Sequence, residues 1–146
     1  MTRYVTESER PLSPSELAIW SADTMCSMNF SMHFELRGAL TDQHLRTALE
    51  RVQCRHPLLA MRISEEGTDV WFRRDGVTAI PVRLVDGPTG QLTAEAEAEV
   101  RVALDWRCGP LVRCVWLRHD STHATILLTF SHVIGDGISG YYLVQD

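Results

Sequence analysis

The segment Phe130-Ser131-His132-Val133-Ile134-Gly135-Asp136-Gly137-Ile138-Ser139-Gly140 holds the residues whose types and spacing best suit chemistry. A histidine directly after an apolar run, followed by a glycine-rich loop, is how a rigid element presents a titratable group at the edge of a cleft. A neutral imidazole can take a proton from a nucleophile near ambient pH, so His132 is a candidate general base. Gly135 and Gly137 can take positive φ and let a substrate approach the backbone closely, and Ser131 and Gly135 are candidates to line the site. Asp136 is expected to bond loop amides or cap a helix beginning near Ile138, holding the loop so that the imidazole points outward. Two other readings stay open on spacing alone. One is a plain loop with an ordinary histidine and a capping aspartate; the other is a metal site, for which no third ligand lies close in sequence.

The elements that must position this segment are legible from pattern. Leu12-Ser13-Pro14-Ser15-Glu16-Leu17 reads as a helix start, with Ser13 as N-cap, Pro14 at the first helical position and Glu16 closing a capping box; Leu12 and Leu17 stand where a hydrophobic staple would put them. Met28 to Leu36 alternates apolar and polar, predicting a half-buried strand with Met28, Phe30, Met32, Phe34 and Leu36 toward the core and His33 on the other face. Leu45, Ala48, Leu49 and Val52 recur at helical spacing between Thr41 and Arg55, and Pro57 stops that helix. Leu58 to Ile63 and Asp69 to Arg73 look like two strands joined around Glu65-Glu66-Gly67, and Ile80, Val82 and Leu84 like a third. A second long helix follows, with Leu92, Ala96, Val100, Ala103 and Leu104 on one face and Glu95, Glu97 and Glu99 as a solvated flank. Leu111 to Arg118 and His123 to Ser131 are apolar on both faces, as central strands covered by helices are. The fold class expected is α+β, one layer of helices on a mainly antiparallel sheet.

Composition narrows the function classes. The 146 residues carry 14 Lys+Arg against 19 Asp+Glu, a formal charge of −5, and every basic residue is an arginine. Scattered arginines on an acidic chain make a poor nucleic-acid footprint. No apolar run approaches the roughly 20 residues of a membrane span, and Met1-Thr2-Arg3-Tyr4 does not open a secretory stretch, so a cytoplasmic protein is expected. Cys26, Cys54, Cys108 and Cys114 have no C-x-x-C spacing and are read as free thiols; Cys108, Cys114 and His119 make only a remote zinc alternative.

His132-Val133-Ile134-Gly135-Asp136-Gly137 resembles the HxxxDG motif of the chloramphenicol acetyltransferase-like superfamily, which includes nonribosomal peptide condensation domains and polyketide-associated acyltransferases. Other segments agree in order and distance. Pro11 to Glu16 with Trp20 resembles the opening motif, Leu36-Arg37-Gly38-Ala39-Leu40 through Arg55-His56-Pro57-Leu58-Leu59 the first strand and helix, and Gly109-Pro110-Leu111-Val112-Arg113 the strand before the motif. Two positions depart from the condensation-domain pattern: Ser131 stands where a second histidine is usual, and Ala18 where an arginine usually pairs with the motif aspartate. The Leu-Ser-x-x-Glu helix start and the loss of that arginine make the sequence more similar to the polyketide-associated acyltransferases that place fatty acyl groups on phthiocerol-type diols.

The resemblance implies acyl transfer from a thioester, carried on an acyl carrier protein's phosphopantetheine or on coenzyme A, to a hydroxyl of a polyketide or lipid-type acceptor. An amine acceptor, as in peptide condensation, is the alternative, and a noncatalytic docking module with the same fold is a third reading. His132 would be the general base, Asp136 structural, and Gly137 would permit the turn; no metal or bound cofactor is implied. The resemblance also implies that residues 1–146 match the N-terminal half of a two-subdomain fold. A C-terminal half is expected as a separate chain or lost fragment, with a carrier protein or polyketide synthase as partner.

Overall fold

Ser13 starts the first helix as its spacing predicts. In the computed structural model, which describes residues 9–146, helix α1 spans Pro14–Asp23, and the Glu16 amide donates to Ser13 Oγ while the Ser13 amide donates to Glu16 Oε2 at 2.7 Å. Arg10 adds two 2.7 Å bonds to the same carboxylate. Hydrogen bonds from Arg10 and then Ser13 outweigh burial and bring the Glu16 pKa down from 4.5 to about 2. The segment Met1 to Tyr4 lies outside the described residues. Among the described residues, no helix is long and apolar enough to cross a membrane.

The chain forms two sheets. Strands β1 (Arg10–Pro11), β3 (Arg62–Glu66) and β4 (Asp69–Arg73) make a small antiparallel sheet in the order β1-β4-β3. The larger sheet takes β2 (Asn29–Arg37), β5 (Val82–Asp86), β6 (Val112–Arg118) and β7 (His123–Ser131) in the order β2-β7-β6-β5. Its pairs are antiparallel except β5–β6, which runs parallel through helix α3 (Leu92–Arg101). The mainly antiparallel α+β class holds, with two differences of detail: a second sheet exists, and helices cover both faces of the larger one.

Strand alternation explains the two-sided cover. Val112, Cys114 and Trp116 of β6 with Ile126, Leu128 and Phe130 of β7 face Leu45 and Leu49 of helix α2 (Asp42–Arg55) and Leu143 of helix α4 (Gly137–Gln145). Val115, Leu117 and Leu127 face the opposite way, onto Leu92 and Ala96 of α3. A further cluster joins α1 to the small sheet through Trp20, Ile63, Phe72, Leu111 and Val133.

Several expected details change. Met28 and Ala48 are exposed, so β2 begins its inward alternation at Phe30. Leu58 and Leu59 lie in a 3₁₀ turn, Pro57–Ala60, because Pro57 sets the first φ of a tight turn; the strand begins only at Arg62. Helix α3 ends at Arg101, which leaves Ala103 and Leu104 beyond it. Glu99 is buried, 7% exposed, and bonds Arg83 of β5 at 2.9 Å and Arg113 Nε of β6, so the glutamate run is no uniform solvated flank. Glu95 shares Arg83 at 2.6 Å.

Candidate active site

The motif histidine is held by its neighbours more than by its own bonds. Ser131 ends β7 and Val133 packs into the cluster around Trp20; both are buried, so the backbone is anchored on either side of His132. The His132 amide donates to Met28 O at 3.1 Å, tying the turn to the start of β2. The imidazole is half-buried and its ring centroid lies 4.6 Å from that of Phe30. Its ring nitrogens have no hydrogen-bond partner among the described residues, which leaves them open to a ligand.

Ser131 does not line the site. Its side chain is 2% exposed and its Oγ accepts from the Val133 amide at 3.3 Å, closing the turn locally. Asp136 is the N-cap of α4: Oδ1 accepts from the Ser139 amide and hydroxyl, each at 2.9 Å. Those bonds, led by the backbone one, hold its carboxyl below the usual carboxylate range. Ala18 is exposed on α1, and the partner of the Asp136 carboxylate is Ser139 of its own helix.

The glycines act differently from expectation. Neither Gly135 nor Gly137 has positive φ; that conformation falls at Gly38, Gly67, Gly76 and Gly109. Gly137 is the first residue of α4 and a Cβ there would meet nothing within 4 Å, so the turn itself does not require glycine. Gly135 is tight, with Ser139 Cβ 3.1 Å from where its own Cβ would stand. Gly140 matters most for packing: a Cβ there would come within 2.4 Å of Met32 Sδ, so its lack of a side chain lets α4 settle on β2.

Beside the motif lies a cavity of about 290 Å³ lined by Phe30, Leu59, Phe130, Ile134, Gly135 and Leu143, with Asp136 and His56 at its edge. Of the residues expected at the site, Gly135 and Asp136 line this cavity; His132 touches its wall through Phe30. Phe30, Leu59 and Leu143 were not expected at the site from sequence, since they come from β2, the 3₁₀ turn and α4 and meet only on folding. Among the described residues no three His, Cys, Asp or Glu side chains are placed to hold a metal. Cys114 is buried, and burial pushes its thiol up to about 12.

The profile of the family described as Condensation domain matches residues 12–146. This chain belongs to the condensation-domain family. Nonribosomal peptide synthetase dtxS1 of Metarhizium robertsii is 31% identical over 139 residues, 93% of this chain, and hybrid PKS-NRPS synthetase LUC5 of a Fusarium species is 27% identical over 154. This condensation-domain chain spans 2% and 4% of those two proteins' lengths. Among solved structures it resembles the starter condensation domain of rhizomide synthetase RzmA, with a TM-score of 0.81, 19% identity and coverage of 95% of this chain and 36% of that one. Tallysomycin biosynthesis protein TlmII matches with a TM-score of 0.81 and 19% identity over 94% of this chain and 37% of that one. At those identities the likeness is one of fold, the chloramphenicol acetyltransferase-like condensation fold.

Proposed function

We propose that this condensation-domain chain transfers an acyl group from a thioester to a nucleophile that His132 deprotonates. The bond between acyl carbon and sulfur breaks, a bond from that carbon to the acceptor nitrogen or oxygen forms, and the acceptor's proton passes through Nε2 or Nδ1 of His132 to the leaving thiolate. The observation that carries the reading is the imidazole of His132, anchored on both sides by buried residues, unbonded at its ring nitrogens among the described residues and packed on Phe30, which lines an apolar cavity. Holding thioester and acceptor together supplies proximity, and a single proton transfer adds about 10²–10⁴-fold. No acyl-enzyme intermediate is needed.

The donor thioester is assigned to carrier-protein phosphopantetheine or coenzyme A; a variant of the RzmA starter domain is known in complex with C8-CoA. An amine acceptor is the first reading, because the similar curated proteins are a nonribosomal peptide synthetase and a hybrid synthetase. A hydroxyl acceptor is the second, kept by Ala18 and Ser131 in place of the arginine and second histidine. This chain covers 36% and 37% of the two matched structures. A further half of the fold is therefore proposed to supply the wall facing His132, and a carrier protein or synthase to deliver the acyl group.

In the intact protein, His132→Ala should lower thioester consumption by about 10²–10⁴-fold with an unchanged Tm. Turnover retained by a folded His132→Ala variant overturns the base assignment. If the intact wild type, with its proposed second half, consumes no acyl thioester with any amine or alcohol offered, the noncatalytic docking reading takes its place. One donor offered with competing amines and alcohols separates amide from ester formation.

A further inference from the structure

Resting on that reading, we infer that Phe30 is a positioning residue for His132, fixing the direction in which the imidazole faces the reacting atoms. The imidazole has no hydrogen bond to orient it among the described residues, so its rotamer is set by packing. Phe30 supplies that packing, with ring centroids 4.6 Å apart and the planes tilted by 39°. Offset or tilted aromatic contacts of this kind favour particular orientations, because the ring quadrupole is anisotropic.

Phe30 is itself immobilised. It stands opposite Phe130 in the β2–β7 register and stacks on it, with centroids 5.2 Å apart and planes 22° from parallel. On another side it faces α4 at Gly140, where an added Cβ would lie 3.8 Å from Phe30 Cε2. A row Phe130–Phe30–His132 thus transmits the rigidity of the central strands to a side chain that lies one residue beyond them. Because proton transfer requires the base within hydrogen-bond reach of the acceptor, a small rotation of the ring costs rate without costing binding.

The test compares Phe30→Leu, Phe30→Tyr and Phe34→Leu. Phe34 lies on the same face of β2, packs on the same core and has no contact with His132, so Phe34→Leu reproduces the loss of packing alone. In this chain labelled at the histidine Cε1, Phe30→Leu is expected to shift the His132 ring resonance out of the Phe30 ring current, while Phe34→Leu leaves it in place. In the intact protein, Phe30→Leu should lower kcat about 10-fold or more with KM within about twofold, and Phe30→Tyr, which keeps the ring, should restore kcat. An unmoved His132 resonance in Phe30→Leu, or equal kcat losses in Phe30→Leu and Phe34→Leu, overturns the inference. If Phe30→Leu fails to fold, a Phe30→Tyr variant with a displaced His132 resonance and full activity overturns it as well. Failure of the base assignment is separate: it shows as activity retained by His132→Ala, whatever the Phe30 variants do.

Discussion

At the scale of single residues, the motif divides its labour. The ring nitrogens of His132 are left unbonded among the described residues, whereas Asp136 Oδ1 accepts from both the amide and the hydroxyl of Ser139. Asp136 therefore works as a helix cap. Asp136→Ala should lower Tm by a few degrees, and Asp136→Asn, which keeps an oxygen to accept from Ser139, should lose much less; equal losses in a thermal melt would argue that the charge, and not the cap, is what counts. Glu16 gives a pH-dependent counterpart at the start of α1. Its pKa is lower in the folded chain, so the folded state binds fewer protons there; the stabilisation is present above the ordinary 4.5 and is lost as pH falls toward about 2. The stability difference between wild type and Glu16→Gln should shrink across that window, and a constant difference in acid denaturation would contradict the assignment. The place of His132 directly after β7 and the capping role of Asp136 were legible because residue type and spacing suffice for both. The packing of Phe30 on His132 was not, since the two are brought together by strand register.

At the scale of elements, the buried glutamate of α3 is the most consequential departure from the local pattern. Arg113 bonds the Glu99 carboxylate and also the Glu99 and Val102 carbonyls at 2.5 and 2.7 Å, so one guanidinium fastens the side chain and closes the last turn of α3 onto β6. Burial pushes the Glu99 carboxyl up, and bonds from Arg83 and Arg113 more than reverse it. Glu99→Ala leaves Arg113 largely desolvated and should destabilise the chain by about 2–4 kcal/mol in denaturant unfolding; a loss within the surface range of about 0.5 kcal/mol would mean that the network contributes nothing. The glycine that matters conformationally is also outside the motif. Gly109 has φ +61° and a Cβ there would stand 2.7 Å from Met61 O, so Gly109→Ala should cost about 1–3 kcal/mol, measured the same way. Helices and strands were mostly legible from capping residues and periodicity. The pairing of Glu99 was not, because it depends on which surfaces the neighbouring elements offer; the 3₁₀ turn that begins at Pro57 was missed because its apolar Leu58-Leu59 pair reads as the start of a strand.

At the scale of the whole molecule, helix α4 buries Leu143 and Gly140 and leaves Ile138, Tyr141 and Tyr142 each more than half exposed. That face adjoins the motif, and it is where the proposed second half of the condensation fold would pack. This chain assayed alone is expected to consume no acyl thioester, and a monomer of it that turns over substrate would refute the need for a second half. Tyr141→Ser with Tyr142→Ser should leave the Tm of this chain unchanged and lower that of the intact protein. The sequence by itself determined the α+β class, most element boundaries, the motif histidine and its capping aspartate, because caps, turn breakers and hydrophobic period act over a few residues. Only the tertiary structure decided the two-sheet arrangement, the cavity beside the motif and the aromatic row from Phe130 to His132. Those depend on contacts between segments about 100 residues apart in the chain, whose meeting is set by how strands pair and helices cover them.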